Sequence, residues 1–392
     1  MDGLPPPGEY FANTIMADWL QCRDEGLEVS GLLARARLLS EEQYLDIRKS
    51  LDFNALLLAC PMQEGFVFYE PSSLPEILAA RPARRHKLNA GYSPATCRDQ
   101  ISGAWHGLSG GGKDTASARF ELAVLSLLLM KRHGIHPSPK QMLDGMMESI
   151  PYARLFGAER AAYRAGALGI SPPETALFLN PWREWGGGLC RGAFWGFLYH
   201  GSPEAAARAA YFDLSAAYTK NGLYAGMFAA ALLAASAACG NIRVAIETAM
   251  DEIPQSSRLS HGLSQVLQLC DAGLPQEEIA ARIRGFYDPS PGQYKYHAVP
   301  NAMACAAALL YSGYCMERAV SAVCSCGFDS ETTAALAASA IGMMTGKQAA
   351  ECDRQEKFPS GVRTCLAGHE WILFNELVKD TIELMGLISH SS

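Results

Sequence analysis

Apolar residues recur at helical spacing along most of the chain from about residue 99 onward. Capping signals divide this pattern into separate helices, since Ser138-Pro139 and Ser202-Pro203-Glu204 each place a hydroxyl residue and a proline where a helix would begin. Strand-like alternation is rare, and no repeat with a period of about 20 to 50 residues is found. The pattern predicts an all-α fold, a compact multi-helix orthogonal bundle. The predicted helices cover residues 121–133, 138–148, 205–217, 224–239, 275–287, 301–312, 316–326, 331–346 and 370–385.

The N-terminal part of the chain follows a different pattern. Helices are predicted over residues 28–39 and 40–51, a strand-like patch over 65–69, and a proline-rich loop over 71–94. The basic run at residues 81–87 is short and lies beside prolines, so we interpret it as a solvated linker, with a phosphate contact as the alternative. The sequence therefore predicts an N-terminal accessory region and linker at 1–95, followed by a helical domain at 96–392.

The longest apolar run, residues 224–239, is too short for a bilayer core, which requires roughly 20 residues. It consists mainly of alanine, which favours a central helix packed closely on several sides. A membrane partner is therefore not expected.

Charge and cysteine usage narrow the expected partners and location. The formal net charge of −7 argues against a nucleic-acid partner, which would favour a clustered basic face. The twelve cysteines are scattered through Ala- and Leu-rich stretches, as small buried residues in a reducing compartment are. The first residues show no secretory signal, so we expect a cytoplasmic protein. Cys324-Ser325-Cys326 lacks a second pair at zinc spacing and does not indicate a metal site.

The strongest chemical feature is an oxygen-rich cluster at a predicted loop-to-helix junction. Asp329 and Glu331 are two residues apart, and the hydroxyl of Thr332 follows them. Carboxylate and hydroxyl oxygens suit a hard cation such as Mg²⁺. The alternative is that Asp329 caps the helix and Glu331 is a first-turn acid favoured by the helix dipole.

Segments spread over residues 99 to about 350 resemble, in the same order, the ADP-ribosylglycohydrolase family. The late one, Gly327-Phe328-Asp329-Ser330-Glu331-Thr332, precedes an Ala-rich helix and resembles an acidic metal-binding motif of that family. The other matching segments are residues 150–154, 158–163, 171–175, 180–185, 191–196, 201–206, 220–224, 253–258 and 297–301. The resemblance implies an all-α fold and a site that binds an ADP-ribose-like or nucleoside-like ligand.

The resemblance also implies metal ligands, and here the sequence departs from the family. Asp329, Glu331 and Thr332 match the late half of a two-Mg²⁺ centre. The early half should lie at the start of the helix that ends before Gly134, but residues 117–120 contain no carboxylate. Lys113-Asp114-Thr115, about a turn earlier, offers Asp114 as a ligand. One Mg²⁺ ion is therefore expected rather than two. A metal-free site, in which Lys113 neutralises the carboxylates or meets a ligand phosphate, remains open.

The implied activity is hydrolysis of an N-glycosidic bond at ribosyl C1 of an ADP-ribosyl, NAD-derived or nucleoside-like substrate. Asp114 is the candidate for activating water, and Glu331 is a candidate catalytic carboxylate. Lys113, Arg191, Asn221 and Tyr224 are candidate substrate-binding residues, with packing or capping as the alternative for the last three. The alternative function is a degenerate family member that binds a nucleotide-like ligand or has a structural role. A homo-oligomer involving residues 1–95 is a further open alternative.

Overall fold

The computed structural model describes residues 70–83, 86, 88, 94–109, 116–290, 294–351 and 360–391, and these form fifteen α-helices and one small sheet. The first eight helices are α1 Leu74–Ala79, α2 Pro94–Leu108, α3 Ala118–His133, α4 Pro139–Ser149, α5 Gly157–Ala167, α6 Gly187–Leu198, α7 Pro203–Leu214 and α8 Lys220–Ala238. The others are α9 Ile242–Met250, α10 Arg258–Asp271, α11 Gln276–Phe286, α12 Ala298–Tyr311, α13 Met316–Ser325, α14 Ser330–Glu351 and α15 Phe374–Ser391. The predicted all-α fold is confirmed.

Helix α8 is the centre of the bundle and packs against α6, α7, α9, α12 and α14. Residues from Asn221 to Ser236 of this helix are buried without a break, as predicted for the Ala-rich run. By length and composition α8 could cross a membrane, but most of it is buried inside the bundle, as in a core helix. Among the described residues it is the one helix with this length and hydropathy.

Helices α6 and α8 approach so closely that their backbones touch along a line of glycines. Gly188, Gly192 and Gly196 repeat every four residues and therefore share one face of α6. A Cβ at Gly192 would clash with the carbonyl oxygen of Gly226, and a Cβ at Gly196 would lie 2.5 Å from that of Ala230. We call this contact the glycine seam. It sets the distance between the N-terminal ends of α6 and α8.

A second close contact joins α2 to α14. A Cβ at Gly107 would lie 2.5 Å from the backbone nitrogen of Ser339. The Ser339 hydroxyl donates to the carbonyl of Ala104 at 3.0 Å, which satisfies a polar group in this apolar contact. The contact holds α14, whose first residue is Ser330, against the core.

Residues 371–373, which lie in the predicted first turn of the last helix, form a strand instead. Trp371–Leu373 pairs antiparallel with Gly361–Arg363, and the last helix begins at Phe374. Ile372 is buried while both its neighbours are exposed, which is the alternation of a half-buried strand. Further backbone hydrogen bonds, Thr364 N–H to Glu370 and Phe374 N–H to Ser360, both at 3.0 Å, extend the hairpin at its two ends.

The predicted loop at residues 71–94 contains the short helix α1, which packs on the bundle. Leu74 and Ile77 are buried, and the carbonyl of Ala80 accepts a hydrogen bond of 2.9 Å from the Gln255 N–H. Arg81 pairs with Glu252 and, at 3.3 Å, with Glu204, so the solvated-linker interpretation was wrong for this residue. The elements predicted at residues 28–39, 40–51 and 65–69 lie outside the described residues.

The glycine seam makes a testable prediction about stability. Gly192→Ala would force α6 and α8 apart and should lower the free energy of unfolding by about 1–3 kcal/mol, the usual cost of overpacking. Urea denaturation measures this change. Gly285→Ala is the matched control, because Gly285 lies near the end of helix α11 with open space around its Cα, and alanine should be neutral or stabilising there. Equal stability of both variants would contradict a rigid seam.

Candidate functional site

The acidic start of α14 is paired with a guanidinium from α3. Arg119 Nη2 lies 2.7 Å from Asp329 Oδ2, and its Nη1 lies 3.1 Å from Glu331 Oε2. Asp329 Oδ2 also accepts a hydrogen bond of 2.8 Å from the Thr332 hydroxyl. The backbone N–H of Thr332 is 3.5 Å from Asp329 Oδ1, which is long for a hydrogen bond. Asp329 is therefore at most a weak cap of helix α14. The three residues predicted as a cluster therefore do lie together, around Arg119.

Buried neighbours fix the position of Asp329. The side-chain oxygen of Asn301, a fully buried residue of α12, accepts from the Asp329 N–H at 3.0 Å and from the Thr333 hydroxyl at 2.9 Å. The Asn301 amide donates to the carbonyls of Lys295 and His297 at 2.9 and 2.8 Å. One side chain thus joins the start of α14 to the loop that precedes α12.

Arg119 stays charged although it is largely buried. Burial alone would lower the pKa of its guanidinium, but Asp329 and Glu331 raise it above the ordinary value. Its side chain is 17% exposed, Asp329 is 7% exposed, and Glu331 is 60% exposed. The inner pair, Arg119 with Asp329, is therefore the strong one, since solvent screens the contact with Glu331.

A second carboxylate lines the same pocket, and no cation of the described part of the chain is in hydrogen-bond contact with it. Glu159, on α5, accepts a short hydrogen bond from the Tyr218 hydroxyl. Burial raises the pKa of the Glu159 carboxyl, while the hydrogen bond from Tyr218 and the more distant Arg191 work in the opposite direction. Burial also raises the pKa of Tyr218, and Glu159 raises it further. The protonated, neutral form of Glu159 is thus favoured more than in an exposed glutamate.

Aromatic side chains form one wall of this pocket. The rings of Trp185 and Tyr296 stack with centroids 4.9 Å apart, and Phe156 lies 5.5 Å from Trp185. The pocket is lined by Ala118, Arg119, Leu122, Leu155, Phe156, Gly157, Ala158, Glu159, Trp185, Gly187, Tyr218, Tyr296 and Asp329, and its cavity volume is about 30 Å³. That is space for about two water molecules, since one needs roughly 10–15 Å³. Phe156 is half exposed and forms the outer part of the wall.

Asn221 and Tyr224, predicted to bind substrate, contact the N-terminal segment instead. The Asn221 amide donates to Glu70 at 2.7 Å and to Glu184 at 2.8 Å, and the Tyr224 hydroxyl donates to the carbonyl of Pro71. Both residues are fully buried in α8. In this structure the Glu70 carboxylate accepts the hydrogen bond of Asn221, and the Pro71 carbonyl accepts that of Tyr224.

Arg258 completes this group, which we call the Glu70 cluster and define as Glu70, Glu184, Asn221, Arg258 and His297. The Arg258 guanidinium contacts Glu70 through two nitrogens, at 2.7 and 3.0 Å, and Glu184 at 2.6 Å. Burial alone would raise the pKa of Glu184, but Arg258 and His297 lower it to about 2. Burial and Arg258 lower the pKa of His297 to about 4, although Glu184 and Glu70 oppose this.

The Glu70 cluster and the aromatic wall are joined through one backbone bridge. Trp185 pairs antiparallel with His297, and Ala298 N–H donates to the Glu184 carbonyl at 3.0 Å. Neighbouring residues of an extended chain point to opposite sides. Glu184 and His297 therefore belong to the cluster, while their neighbours Trp185 and Tyr296 line the pocket.

Arg191, also predicted to bind substrate, is buried in the bundle. Its guanidinium pairs with Asp213, which also accepts hydrogen bonds from the Trp195 indole at 2.9 Å and the Ser126 hydroxyl at 3.0 Å. Arg191 is 2% exposed and is not among the residues that line the pocket. This geometry favours the packing role that the sequence left open. Lys113 and Asp114 lie outside the described residues, and their roles stay predictions.

Sequence reasoning missed the pocket residues Arg119, Glu159 and Trp185. A signal existed for Arg119, because a basic residue in the first turn of a helix opposes the helix dipole and needs an anionic partner. Glu159 had no comparable signal, since an acid in the first turn of α5 is ordinary. Its burial depends on the contact of α5 with Tyr218.

The metal predicted from the family resemblance does not fit the described donors as they stand. The inner oxygen of Asp329 already accepts from Arg119 and Thr332, and guanidinium nitrogens cannot ligate Mg²⁺, which takes oxygen ligands. Within the described residues, no group of three or more His, Cys, Asp or Glu side chains could hold a metal ion. A divalent cation at Asp329 would also lie next to the positive charge of Arg119, which would oppose its binding.

The fold and the site define an all-α protein whose pocket combines carboxylates, a guanidinium and aromatic rings. A model of the ADP-ribosylglycohydrolase family matches residues 67–385, and the chain belongs to this family. The match includes residues that the sequence analysis assigned to the accessory region 1–95. The family is hydrolytic and acts on ADP-ribose-like substrates, small or protein-linked, which supports an activity of the glycosyl hydrolase type.

Eleven chains of solved structures match the protein. One, described as an ADP-ribosylglycohydrolase-related protein complex, is 16% identical with a TM-score of 0.49, over 74% of this chain and 98% of that chain. The search of curated proteins found no match.

The pKa of His297 predicts a specific loss of stability in acid. The native protein holds His297 neutral down to about pH 4, whereas the unfolded chain protonates it near its ordinary pKa of 6.5. This contribution to the free energy of unfolding is present above pH 6.5 and is lost as the pH falls toward 4. His297→Asn keeps a helix-capping side chain and should flatten the pH dependence in that window. Denaturant titrations at several pH values measure it.

His136 is exposed, and His136→Asn serves as the control for that experiment. It should leave the pH dependence of the free energy of unfolding between pH 4 and 6.5 as in the wild type. An unaltered pH dependence in His297→Asn would show that His297 is not held neutral.

Proposed function

We propose that the chain hydrolyses an N-glycosidic bond at C1 of the ribose of an ADP-ribosyl, NAD-derived or nucleoside-like substrate, in the pocket between α3, α5 and α14. The observation that carries the proposal is that two carboxylates line this pocket in opposite environments. Asp329 is paired with a guanidinium, whereas Glu159 is buried against a hydroxyl. Carboxylates whose environments differ in this way are suited to separate roles in glycoside hydrolysis.

Glu159 is the proposed general acid. The transition state resembles an oxocarbenium ion. The nitrogen of a nucleoside base or of a protein-linked substrate needs a proton as the C1–N bond breaks, whereas a nicotinamide ring leaves neutral without one. A carboxyl whose pKa is raised by burial carries that proton at higher pH than an exposed one. Water supplies the new C1–O bond, and its proton goes to a carboxylate. Asp114 was proposed from the sequence for that step, and this role stays part of the proposal.

Asp329 and Arg119 are proposed to hold the ribose. The carboxylate accepts hydrogen bonds from hydroxyl groups, and the guanidinium donates them. Thr332 keeps Asp329 in one orientation through its hydrogen bond of 2.8 Å. Glu331 lies at the outer edge of this group, and we assign it a contact with the substrate rather than a part in proton transfer, because it is 60% exposed.

The aromatic wall is proposed to receive the base or nicotinamide ring. Trp185 and Tyr296 offer flat faces for stacking. The indole N–H of Trp185 is buried and has no hydrogen-bond partner within the described residues, so it is a donor available to a ligand. A nucleoside is larger than the cavity of about 30 Å³, so the outer part of the wall at Phe156 has to move for the substrate to enter.

A second candidate function is ligand binding without turnover. It is favoured by the pairing of Asp329 and Glu331 with Arg119, which engages the oxygens that the family resemblance assigns to a metal. Calorimetry with ADP-ribose, combined with glycosidase assays on ADP-ribosyl and nucleoside substrates, separates the two functions. Turnover supports hydrolysis, and binding without turnover of any of these substrates supports the second function.

The acid role of Glu159 predicts the effect of Glu159→Gln. The amide can still accept the hydrogen bond from Tyr218 but cannot deliver a proton, so kcat should fall roughly a hundredfold or more with little change in ligand affinity. In the wild type, kcat/KM should fall as the pH rises through the raised pKa of Glu159, because the acid loses its proton.

Glu174 is exposed and lies in the short turn Glu174–Ala176, which contacts α5, so Glu174→Gln is the control for loss of a surface charge and should behave as wild type. Wild-type kcat in Glu159→Gln would remove Glu159 from the mechanism while leaving the binding pocket untouched.

A further inference from the structure

Arg119 projects into the site from a helix start that the fold holds in place. The N–H of Phe120 donates to the hydroxyl of Ser117, the N-cap of α3, at 3.2 Å. The Phe120 ring packs against Trp105 with centroids 5.7 Å apart. Because α3 is fixed on both sides of Arg119, the side chain leaves the helix toward the start of α14. This helix start is where the family resemblance places the early half of a metal centre.

The guanidinium matches the carboxylates in both geometry and charge. Its two terminal nitrogens reach two different carboxylates, at 2.7 Å to Asp329 and 3.1 Å to Glu331. Nη1 also lies 3.4 Å from the second oxygen of Asp329. A planar guanidinium with donors in a fork suits such a bridge better than the single ammonium of lysine. Asp329 is nearly buried, and loss of its cationic partner would leave an unpaired carboxylate in the interior, which is costly.

We propose that Arg119 is a built-in cation that takes the place of the metal ion, so that the site binds its ligand without a divalent cation. The guanidinium neutralises the acidic residues at the start of α14 and faces the pocket as a hydrogen-bond donor to the ligand. The exclusion of metal is independent of whether the ligand is hydrolysed. The role of Arg119 as a hydrogen-bond donor to an ADP-ribose-like ligand rests on the proposed function.

The test measures Mn²⁺ binding to the full-length protein by calorimetry and by the loss of the free-ion signal in electron paramagnetic resonance. The wild type should bind no Mn²⁺ at Asp329. Arg119→Met keeps an unbranched apolar stem but removes the guanidinium and its charge, so it should gain Mn²⁺ binding. Mg²⁺ should raise the Tm of this variant but not that of the wild type. The double variant Arg119→Met with Asp329→Asn should lose the gained binding.

Arg132→Met is the matched control, because Arg132 lies on the same helix in a surface ion pair with Glu148. It should gain no Mn²⁺ binding. If Arg119→Met does not fold, Arg119→Lys keeps the positive charge and should remain free of metal. Mn²⁺ binding by the wild type that Asp329→Asn abolishes would overturn the proposal. So would a folded Arg119→Met that gains none.

A second measurement separates this proposal from the proposed function. Arg119→Met should weaken ADP-ribose binding, and Mn²⁺ should restore it in the variant without affecting the wild type. If ADP-ribose binds neither the wild type nor Arg119→Met, while only the variant binds Mn²⁺, the proposed ligand is wrong and the replacement of the metal by Arg119 stands. If Mn²⁺ is needed for ADP-ribose binding by the wild type, the replacement is wrong.

Discussion

The close approach of α6 and α8 along the glycine seam is the constraint on which the rest of the site depends. Without side chains at Gly188 and Gly192, the two backbones touch, and the segments that precede both helices are brought together. Trp185 and Gly187 precede or begin α6, and Tyr218 lies just before α8. One interhelical contact therefore brings together Trp185 of the aromatic wall and Tyr218, the partner of Glu159. A wider spacing would separate Tyr218 from this wall.

Two guanidinium groups organise the charges on either side of the aromatic wall. Arg119 forms ion pairs with Asp329 and Glu331, and Arg258 forms ion pairs with Glu184 and Glu70. In each case a single cation is shared by two carboxylates and offsets part of the cost of burying them. Of the two carboxylates paired with Arg258, Glu70 comes from the N-terminal segment, so the Glu70 cluster is complete only when that segment lies against the bundle. The backbone bridge between Trp185 and His297 connects the Glu70 cluster to the pocket.

Membership in a hydrolytic family accounts for the fold more completely than for the chemistry. A fold can retain its helix order and packing while the few side chains that carry a reaction change. Asp329, Glu331 and Thr332 lie in the segment that resembles the family's late acidic motif, and Arg119 faces them with a positive charge. Family membership therefore accounts for the fold, whereas the side chains in the pocket decide its chemistry.

The sequence by itself determined the local features of this protein. Capping residues such as Ser138 set helix starts, the Ala-rich run identified the buried helix α8, and Asp329, Glu331 and Thr332 were adjacent in the chain. The strand at Trp371–Leu373 was missed because it has only three residues and runs directly into the last helix. Only the tertiary structure decided the partner of each charged group. Arg119 and Asp329 are 210 residues apart, and Glu70 and Arg258 are 188 apart. Periodicity and capping report on neighbours within a few turns, while the pairing of distant charges depends on how the helices pack.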